Sequence, residues 1–500
     1  MIKSLFYMRK IYLMLILILF FSINGFASSP VINDSIKLAY NQILSLNFKQ
    51  ADQILIKERK ANPENVWIDY LHNYQDFLTV FIQEDKAKFN ELEPMISKRY
   101  KAIEELPDNS PYKNWMLANI NLQWAIVRLK FQQYFAAAWD INKAYRLIVE
   151  NKTTFPDFVP NDITLGILHV MIGLVPDKYR WMLKIVSMNG TVKQGKKELY
   201  NVLDSTITNS KYSYLKDETL FYLGFMELNL APDRKGLNKL ELFLDSIPKN
   251  QYLITYLKID ILIRTGKNND ALALLNKITH QENIFPFYYL YYLKGNVLLN
   301  NLNPDALKDF RYFLTHFKGI NYIKDAWRKM GWAYLIDGDT VNYHIMMDSV
   351  LINGHALVGA DINAQKEAEK TKVPNVFLLK SRLLFDGGYY NKSMKILDLL
   401  GKGSQNNNDK LERIYRYARI FHETGEIYKA KKAYRQTLKA GRYASSYFAA
   451  NAALKLGEIY ESEDSLKIAK YYYKQCLSLP FKVYRNSIRG KAKEALYRLN

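Results

Sequence analysis

The residues that most often carry chemistry are sparse in this chain and stand far apart. Its seven histidines are scattered over 500 residues, and Cys476 is the only cysteine. No two histidines form an H-E-x-x-H arrangement, and one thiol cannot build a structural zinc site. His344 and His355 flank Asp348, but no further ligand accompanies this pair in the sequence. The spacing therefore predicts no bound metal.

Acidic side chains near His355 do not form a recognisable catalytic set either. Asp361, Glu367 and Glu369 lie in a charged stretch that is typical of a solvated helix face. The chain contains neither a G-x-S-x-G nucleophile motif nor a phosphate-binding loop. We therefore predict a protein that is not an enzyme and that uses no cofactor.

The strongest candidate for a functional surface is the basic C-terminus. The formal net charge is +21, and the last hundred residues hold 21 Lys or Arg against 9 Asp or Glu. A basic region of this kind attracts acidic partners over long distances. The candidate partner-binding cations are Lys431, Arg435, Lys439 and Arg442, which share one face of a predicted helix, with Arg485 and Arg489 in the tail.

Three interpretations of this basic surface stay open. It could be the polar cap that a terminal repeat needs for solubility. It could instead bind a polyanion or an anionic surface of the cell envelope, or it could form a dimer interface. Nucleic acid is the usual polyanion for such a surface. An exported protein rarely meets nucleic acid, so an acidic protein or an anionic envelope component is the expected partner.

The elements that would position these side chains follow a two-helix repeat. In the clearest segment, the pattern W-x2-L-G-x2-Y-x3-G is matched, with Met in place of Leu, by Trp327, Met330, Gly331, Tyr334 and Gly338. Small residues in such a pattern let two helices approach closely, and the large residues fill the space around them.

The same spacing recurs about seven times between residues 35 and 480. The clearest further copies are Gly425, Ala430, Tyr434 and Leu438, followed by Leu456, Gly457, Tyr460, Ala469 and Tyr473. In these positions the chain resembles the tetratricopeptide repeat family, in its exported bacterial form. The resemblance implies an all-α fold, a right-handed superhelical solenoid of antiparallel helix pairs. A generic helical bundle is the alternative that stays open.

The resemblance also implies a binding mode. Arrays of this family expose a concave groove, lined by the first helix of each pair, in which a peptide or a partner protein binds. Trp332 stands outside the repeat pattern and is the candidate side chain in this groove. The pattern places Trp327 and Tyr334 in the core.

The N-terminus predicts export. Three basic residues precede an apolar run from Ile11 to Phe21, and the small residues Gly25 and Ala27 occupy the positions that a signal peptidase reads. We expect cleavage after Ala27 and a location in the periplasm or cell envelope. The alternative is an uncleaved anchor, but the apolar run is short for a span of about 20 residues. No cysteine stands at the cleavage site, which excludes the bacterial lipoprotein route.

The predicted organisation follows from these features. We expect a signal peptide at 1–27, a helical region with one tetratricopeptide-like unit at 28–155, an apolar helical hairpin at 156–195, tetratricopeptide-like repeats at 196–400, a flexible linker at 401–408, and basic C-terminal repeats with a capping helix at 409–500. The apolar stretches within residues 163–188 are too short to span a bilayer. They form either a buried hairpin or a surface that contacts lipid or a partner, and both interpretations stay open.

The sequence therefore predicts an exported, non-catalytic scaffold that binds a peptide or partner protein in the groove of a repeat array. The alternative is a peripheral protein that binds a membrane or another anionic surface through residues 163–188 and the basic C-terminus. No transmembrane span is expected in the mature chain.

Overall fold

The computed structural model of the protein describes residues 30–175, 180–230, 234–245, 251–279, 284–370, 372–400 and 406–499. Within these ranges every regular element is helical and successive helices pack in adjacent pairs, which confirms the predicted all-α class. The predicted signal peptide, residues 1–27, lies outside the described residues. The right-handed superhelix and the membership of the tetratricopeptide family stay predictions.

The described chain forms two compact units. The first contains the described residues up to Ile254, except Gln83–Asp85, together with residues 284 and 285. Its helices are α1 (Asp34–Leu44), α2 (Phe48–Ala61), α3 (Trp67–Gln83), α4 (Lys86–Leu92), α5 (Met95–Glu104), α6 (Pro111–Lys130), α7 (Tyr134–Thr154), α8 (Asn161–Gly173), α9 (Arg180–Ile185), α10 (Val192–Thr208), α11 (Lys216–Phe225) and α12 (Arg234–Asp245).

The second unit contains Gln83–Asp85 and the described residues from Thr255 onward, apart from 284 and 285. The division between the units falls within α13 (Tyr252–Arg264). The helices that follow are α14 (Asn268–Ile278), α15 (Tyr289–Asn300), α16 (Ala306–His316), α17 (Ile323–Ile336), α18 (Thr340–Ile352), α19 (Gly359–Ala368), α20 (Val376–Asp386), α21 (Tyr390–Leu399), α22 (Asn407–Glu423), α23 (Ile427–Ala440), α24 (Phe448–Ser462), α25 (Leu466–Ser478) and α26 (Arg485–Arg498).

The core of the first unit is built from aromatic side chains at helical spacing. Trp67 and Tyr74 lie two turns apart on α3, and both are almost fully buried. The rings of Trp67 and Trp115 have centroids 5.7 Å apart, within the range of favourable aromatic contacts. The aromatic side chains of α3 and α6 therefore form a packed core.

One carboxyl group is buried in this aromatic core. Glu218 of α11 is 2% exposed. Burial raises the pKa of Glu218 to about 7, although the neighbouring hydroxyls of Tyr40, Tyr74 and Tyr222 favour the ionised form. The first unit thus contains a carboxyl that changes its charge near neutral pH.

The predicted apolar hairpin begins as a buried helix. Ile163 and most other side chains of α8 are buried. Helix α8 packs against α10 at two glycines, since a Cβ added to Gly195 would lie 2.2 Å from the carbonyl oxygen of Gly166. The α8 part of residues 163–188 is therefore core. Trp181 of α9 is 60% exposed, and residues 176–179 lie outside the described part of the chain.

Helix pairs in the second unit pack through the glycines of the repeat pattern. A Cβ added to Gly331 of α17 would lie 2.9 Å from Cε of Met347 in α18. One added to Gly457 of α24 would lie 2.4 Å from the ring of Tyr473 in α25. Both contacts join the first helix of a pair to the second at the same interval along the chain. The glycines are needed because the facing side chain occupies the space of a Cβ.

Helix pairs that are not successive also meet in this unit. Helix α20 packs against both α15 and α17, which are the first helices of two earlier pairs. At the ends of α13 and α20, Gly266 and Gly388 adopt φ values of +75° and +81°, and a Cβ added to Gly388 would lie 1.9 Å from the Gly266 carbonyl oxygen. The Tyr389 hydroxyl donates to Asn269 Oδ1 at 2.6 Å. The first helices of several pairs therefore converge.

The predicted linker ends in a helix cap. The side-chain oxygen of Asn406 accepts a hydrogen bond from the Asp409 backbone N–H at 2.9 Å, which is the usual N-cap arrangement, and α22 begins at Asn407. Residues 407 and 408 of the predicted linker at 401–408 are thus helical, and residues 401–405 lie outside the described chain.

Candidate functional site

The first helix of the best-matched repeat, α17, carries charged side chains among its core residues. Arg328 and Lys329 stand three and four residues after Asp325, and Trp332 stands four and three residues after them, which places all four on one face of the helix. Asp325 is 1% exposed and forms ion pairs with Arg328 and, at 3.3 Å, with Lys329. The hydroxyl of Tyr292 in α15 donates to the same carboxylate. Two cations and one hydroxyl therefore compensate a single buried negative charge.

The pKa of Asp325 reflects this environment. Burial alone would raise the pKa of the carboxyl. The charges of Lys329 and Arg328 and the hydrogen bond from Tyr292 outweigh burial, and they hold the pKa of Asp325 well below its usual range. Burial lowers the pKa of Lys329, and the charge of Asp325 only partly offsets this. Asp325 is thus ionised at neutral pH.

The ring of Trp332 contacts two guanidinium groups. The guanidinium carbons of Arg328 and Arg382 are 4.5 Å and 5.0 Å from its ring centroid, within the range of cation–π contacts. The Trp332 Nε1–H donates to Glu367 Oε1 at 2.7 Å. Trp332 is only 3% exposed, because α15, α17 and α20 converge around it. A side chain that lines an open groove would be more exposed than this. Trp327, predicted to be core, is only half-buried.

Two cavities adjoin Trp332 and Arg382. The first, which we call the Trp332 cavity, has a volume of about 410 Å³ and is lined by side chains of α15, α17 and α20, by the start of α19, and by Tyr484. The second has a volume of about 390 Å³ and lies between α20 and the start of α22, with Asn375 and Asp409 in its wall. Each is large enough for a small ligand or a few side chains of a partner.

The start of α19 is fixed against α17 by a carboxylate. Asp361 Oδ2 accepts from the Tyr322 backbone N–H at 2.6 Å, and Oδ1 accepts from the Asp325 N–H at 2.9 Å. Asp361 therefore caps the beginning of α17 from a different helix. Burial raises the pKa of Asp361 to about 6, and the two backbone hydrogen bonds partly offset this effect. The cap holds the first turn of α19 at the wall of the Trp332 cavity.

The predicted basic face on α23 is partly engaged within the protein. Lys431 pairs with Glu463 at 2.9 Å. The Lys431 ammonium and the Arg435 guanidinium lie 5.0 Å and 6.0 Å from the ring centroid of Tyr460, so the structure brings these two cations together. Lys439 is exposed near the helix end.

Two other predicted cations differ from their expected placement. Helix α23 ends at Ala440, so Arg442 lies beyond the helix and does not belong to its face. Arg489 Nη2 donates to the Leu479 carbonyl oxygen at 3.2 Å, which anchors this side chain within the protein. Arg485, at the first position of α26, is exposed. Arg435 is exposed, but its Nη2 donates to the Tyr460 hydroxyl. The part of the predicted surface that stays open to a partner consists mainly of Lys439, Arg442 and Arg485, which are exposed.

The other residues considered for chemistry do not converge. Both His344 and His355 are exposed, and the described residues contain no group of three or more His, Cys, Asp or Glu side chains that could hold a metal ion. Burial raises the pKa of the Cys476 thiol to about 12, which leaves it protonated and unreactive at neutral pH. Among the described helices, none combines the length and apolarity that crossing a bilayer requires.

No known family model matches the chain, and no curated protein matches it with significance. The resemblance to tetratricopeptide repeats therefore depends on the repeat residues and on the helix pairs that they form.

The Trp332 cavity contains residues that the sequence prediction missed. The charges of Asp325, Arg328 and Lys329 interrupt an otherwise apolar repeat helix. This interruption is the sequence feature from which the three residues could have been predicted to form a site. Arg382 had no such signal, because its place beside Trp332 depends on the contact between α17 and α20, which are not successive helices of one pair.

Proposed function

We propose that this protein is an exported, non-catalytic scaffold of the tetratricopeptide type, which binds a peptide or a partner protein. The proposal is supported by the paired helices of the second unit and by the glycine contacts at repeat positions. The observation that carries it is the composition of the C-terminal surface. Tyrosines and arginines are enriched at protein interfaces, and here exposed cations stand beside Tyr428, Tyr443, Tyr471 and Tyr497, each more than half exposed.

The partner that fits this surface is acidic. Arg435, Lys439 and Arg442 are exposed cations of α23 and the turn that follows it. Complementary charge accelerates association and selects against partners of like charge. The partner is expected to reach the converging first helices near Trp332 as well, since the second cavity opens between α20 and α22.

Affinity capture from intact cells after mild crosslinking tests this function. A partner recovered in stoichiometric amounts is expected, and replacing Lys439 and Arg442 with Glu is expected to reduce its recovery by about tenfold. Lys308→Glu is the control for charge reversal at an exposed lysine, because Lys308 is 81% exposed by side chain on α16, a helix whose main contacts are with α15 and α17. Absence of any stoichiometric partner, or equal loss in the control, would contradict the proposal.

A second candidate is a peripheral protein that binds an anionic membrane surface. The observation that favours it is an exposed aromatic pair on α7, where Phe135 is 95% and Trp139 is 72% exposed one turn apart. Exposed Trp and Phe side chains are typical of surfaces that enter the membrane interface. Vesicle flotation with anionic lipid at low and high salt tests this candidate. Failure to float at low salt would exclude it.

A further inference from the structure

We propose that the Trp332 cavity binds an oxyanion, either a carboxylate or a phosphate group, carried by a small ligand. The proposal concerns a site smaller than a protein interface, and it holds whether or not the C-terminal surface binds a partner. It is supported by four donors or charges that meet in one cavity: the start of α19, Arg328, Arg382 and Lys329.

The first donor is the N-terminus of α19. Gly359 and Ala360 line the cavity, and Val358, the N-cap residue, provides no side-chain hydrogen bond. The first N–H groups of a helix have no acceptor within the helix and lie at the positive end of its dipole, so they favour an anion. A Cβ added to Gly359 would meet no atom within 4 Å, so a ligand can approach this backbone closely.

The second donor is a buried guanidinium with one unused N–H group. Arg328 lines the cavity and is 5% exposed. Its two terminal nitrogens donate to Asp325 and Glu367, but Nε is buried without any hydrogen-bond partner. Buried donors are nearly always satisfied in folded proteins, so this unpaired N–H group leaves the charge of Arg328 incompletely compensated next to the cavity, where an oxyanion would offset it.

The third donor is Arg382, whose guanidinium has weak partners. Its Nη2 donates to the Tyr484 hydroxyl at 3.4 Å, and its Nε lies 3.7 Å from Asp386 Oδ2, which is beyond hydrogen-bonding distance. Asp386 is half exposed, so solvent screens the charge that it offers. Stacking on Trp332 orients the Arg382 guanidinium at the cavity wall and leaves most of its N–H groups available.

The positive charge that a ligand in the cavity would meet is mainly that of Arg382. Three cations of the wall, Arg328, Lys329 and Arg382, are balanced by Asp325 and Asp386 of the wall and by Glu367, which pairs with Arg328 and accepts from Trp332. Arg382 is the least compensated of these cations, because Asp386 lies 3.7 Å away and is half exposed. The volume of the cavity suits an oxyanion on a short stem rather than an extended peptide.

The experiment measures thermal unfolding and calorimetric binding of the full chain with inorganic phosphate and with succinate. Sodium chloride at equal ionic strength is the control for screening. Saturable calorimetric binding of phosphate or succinate supports the proposal; a rise in unfolding temperature alone does not, because phosphate stabilises folded proteins without a binding site. The anion that binds more tightly identifies the ligand group as phosphate or carboxylate. No saturable binding of either anion would overturn the proposal.

Substitutions at Gly359 locate the site. Gly359→Asp places a carboxylate at the start of α19, where it competes with the ligand and where helices accept acidic residues. We expect anion affinity to fall by at least about tenfold in this variant and to change little in Gly359→Asn, which has the same shape without the charge. Unchanged affinity in Gly359→Asp would show that the anion binds elsewhere and would overturn the proposal.

A cation variant gives an independent check. Arg382→Gln should weaken anion binding by about tenfold, and Lys395→Gln, which removes an exposed cation from α21, should not. If Arg382→Gln fails to fold, the pair of Gly359 variants still decides the question. Loss of binding to the same extent in Lys395→Gln would indicate general attraction to a basic protein and would contradict a defined site.

Discussion

Replacement of Glu218 by Gln should stabilise the first unit at pH 8 but not at pH 5. The carboxyl of Glu218 is 2% exposed in the aromatic core, and burial raises its pKa from the usual 4.5 to about 7. Below pH 4.5 the side chain is neutral in both the folded and the unfolded chain, so its titration does not affect stability. Between pH 4.5 and 7 the unfolded chain releases a proton that the folded chain keeps, and stability falls as pH rises.

The expected magnitude follows from the two pKa values. Each pKa unit corresponds to 1.36 kcal/mol, so the folded state loses about 3 kcal/mol relative to the unfolded state as pH rises through this window. Gln has nearly the same shape as a protonated Glu and carries no charge at any pH. The free energy of unfolding of Glu218→Gln minus that of the wild type should therefore increase by about 3 kcal/mol between pH 4.5 and 8.

The assay is urea denaturation at several pH values, followed by tryptophan fluorescence, because Trp67, Trp115 and Trp124 lie in the core of the first unit. The two units can unfold in separate transitions, so each transition is fitted separately. Glu64→Gln, at an exposed residue, sets the baseline for removing one carboxylate. Use of the difference between variant and wild type removes pH effects that both proteins share.

A difference in unfolding free energy between Glu218→Gln and the wild type that does not change with pH would refute this prediction. If Glu218→Gln and the wild type differ by the same amount at pH 5 and pH 8, the carboxyl is not held neutral by burial. A difference of opposite sign would mean that the tyrosine hydroxyls stabilise the carboxylate more than burial destabilises it.

Two further predictions concern the second unit. Gly388→Ala should destabilise this unit by more than about 2 kcal/mol, because φ is positive and the new Cβ would clash with the Gly266 carbonyl oxygen. Gly338→Ala is the control, since φ is positive there too but no atom lies within 4 Å of the new Cβ, and it should cost only about 1 kcal/mol. Thermal or urea unfolding measures both. Equal losses would show that the clash is relieved. Asp325→Asn should cost about 3 kcal/mol, since it leaves Arg328 buried beside a neutral group, and a loss below about 1 kcal/mol would contradict this.

The repeat helices could be predicted because their pattern is local. Gly331 and Gly457 mark close approaches between neighbouring helices, and the structure has the facing side chains of Met347 and Tyr473 at these glycines. Each of these contacts joins a small residue to a large one at a fixed interval within one helix pair. The pattern can therefore be recognised in a short stretch of sequence. The all-α class and the pairing follow from it directly.

The site could be predicted only in part because its geometry is not local. Trp332 stands outside the repeat pattern, which indicated exposure in a groove, but contacts with α15 and α20 enclose it. Arg382 reaches the same ring from a later pair, and no spacing in the sequence connects the two residues. The predicted position of Arg442 on the basic face was wrong because α23 ends at Ala440, and helical periodicity does not apply to residues beyond the end of the helix.

The meeting of the two turn glycines has a consequence for how this protein can evolve. Families of repeats usually gain or lose whole units, because each unit touches only its neighbours. Here the Tyr389 hydroxyl bonds Asn269 across 120 residues, and Gly388 lies directly against Gly266. Duplication or deletion of a helix pair between these turns would separate them. We therefore expect homologues to keep the number of units in this stretch and to vary in length outside it.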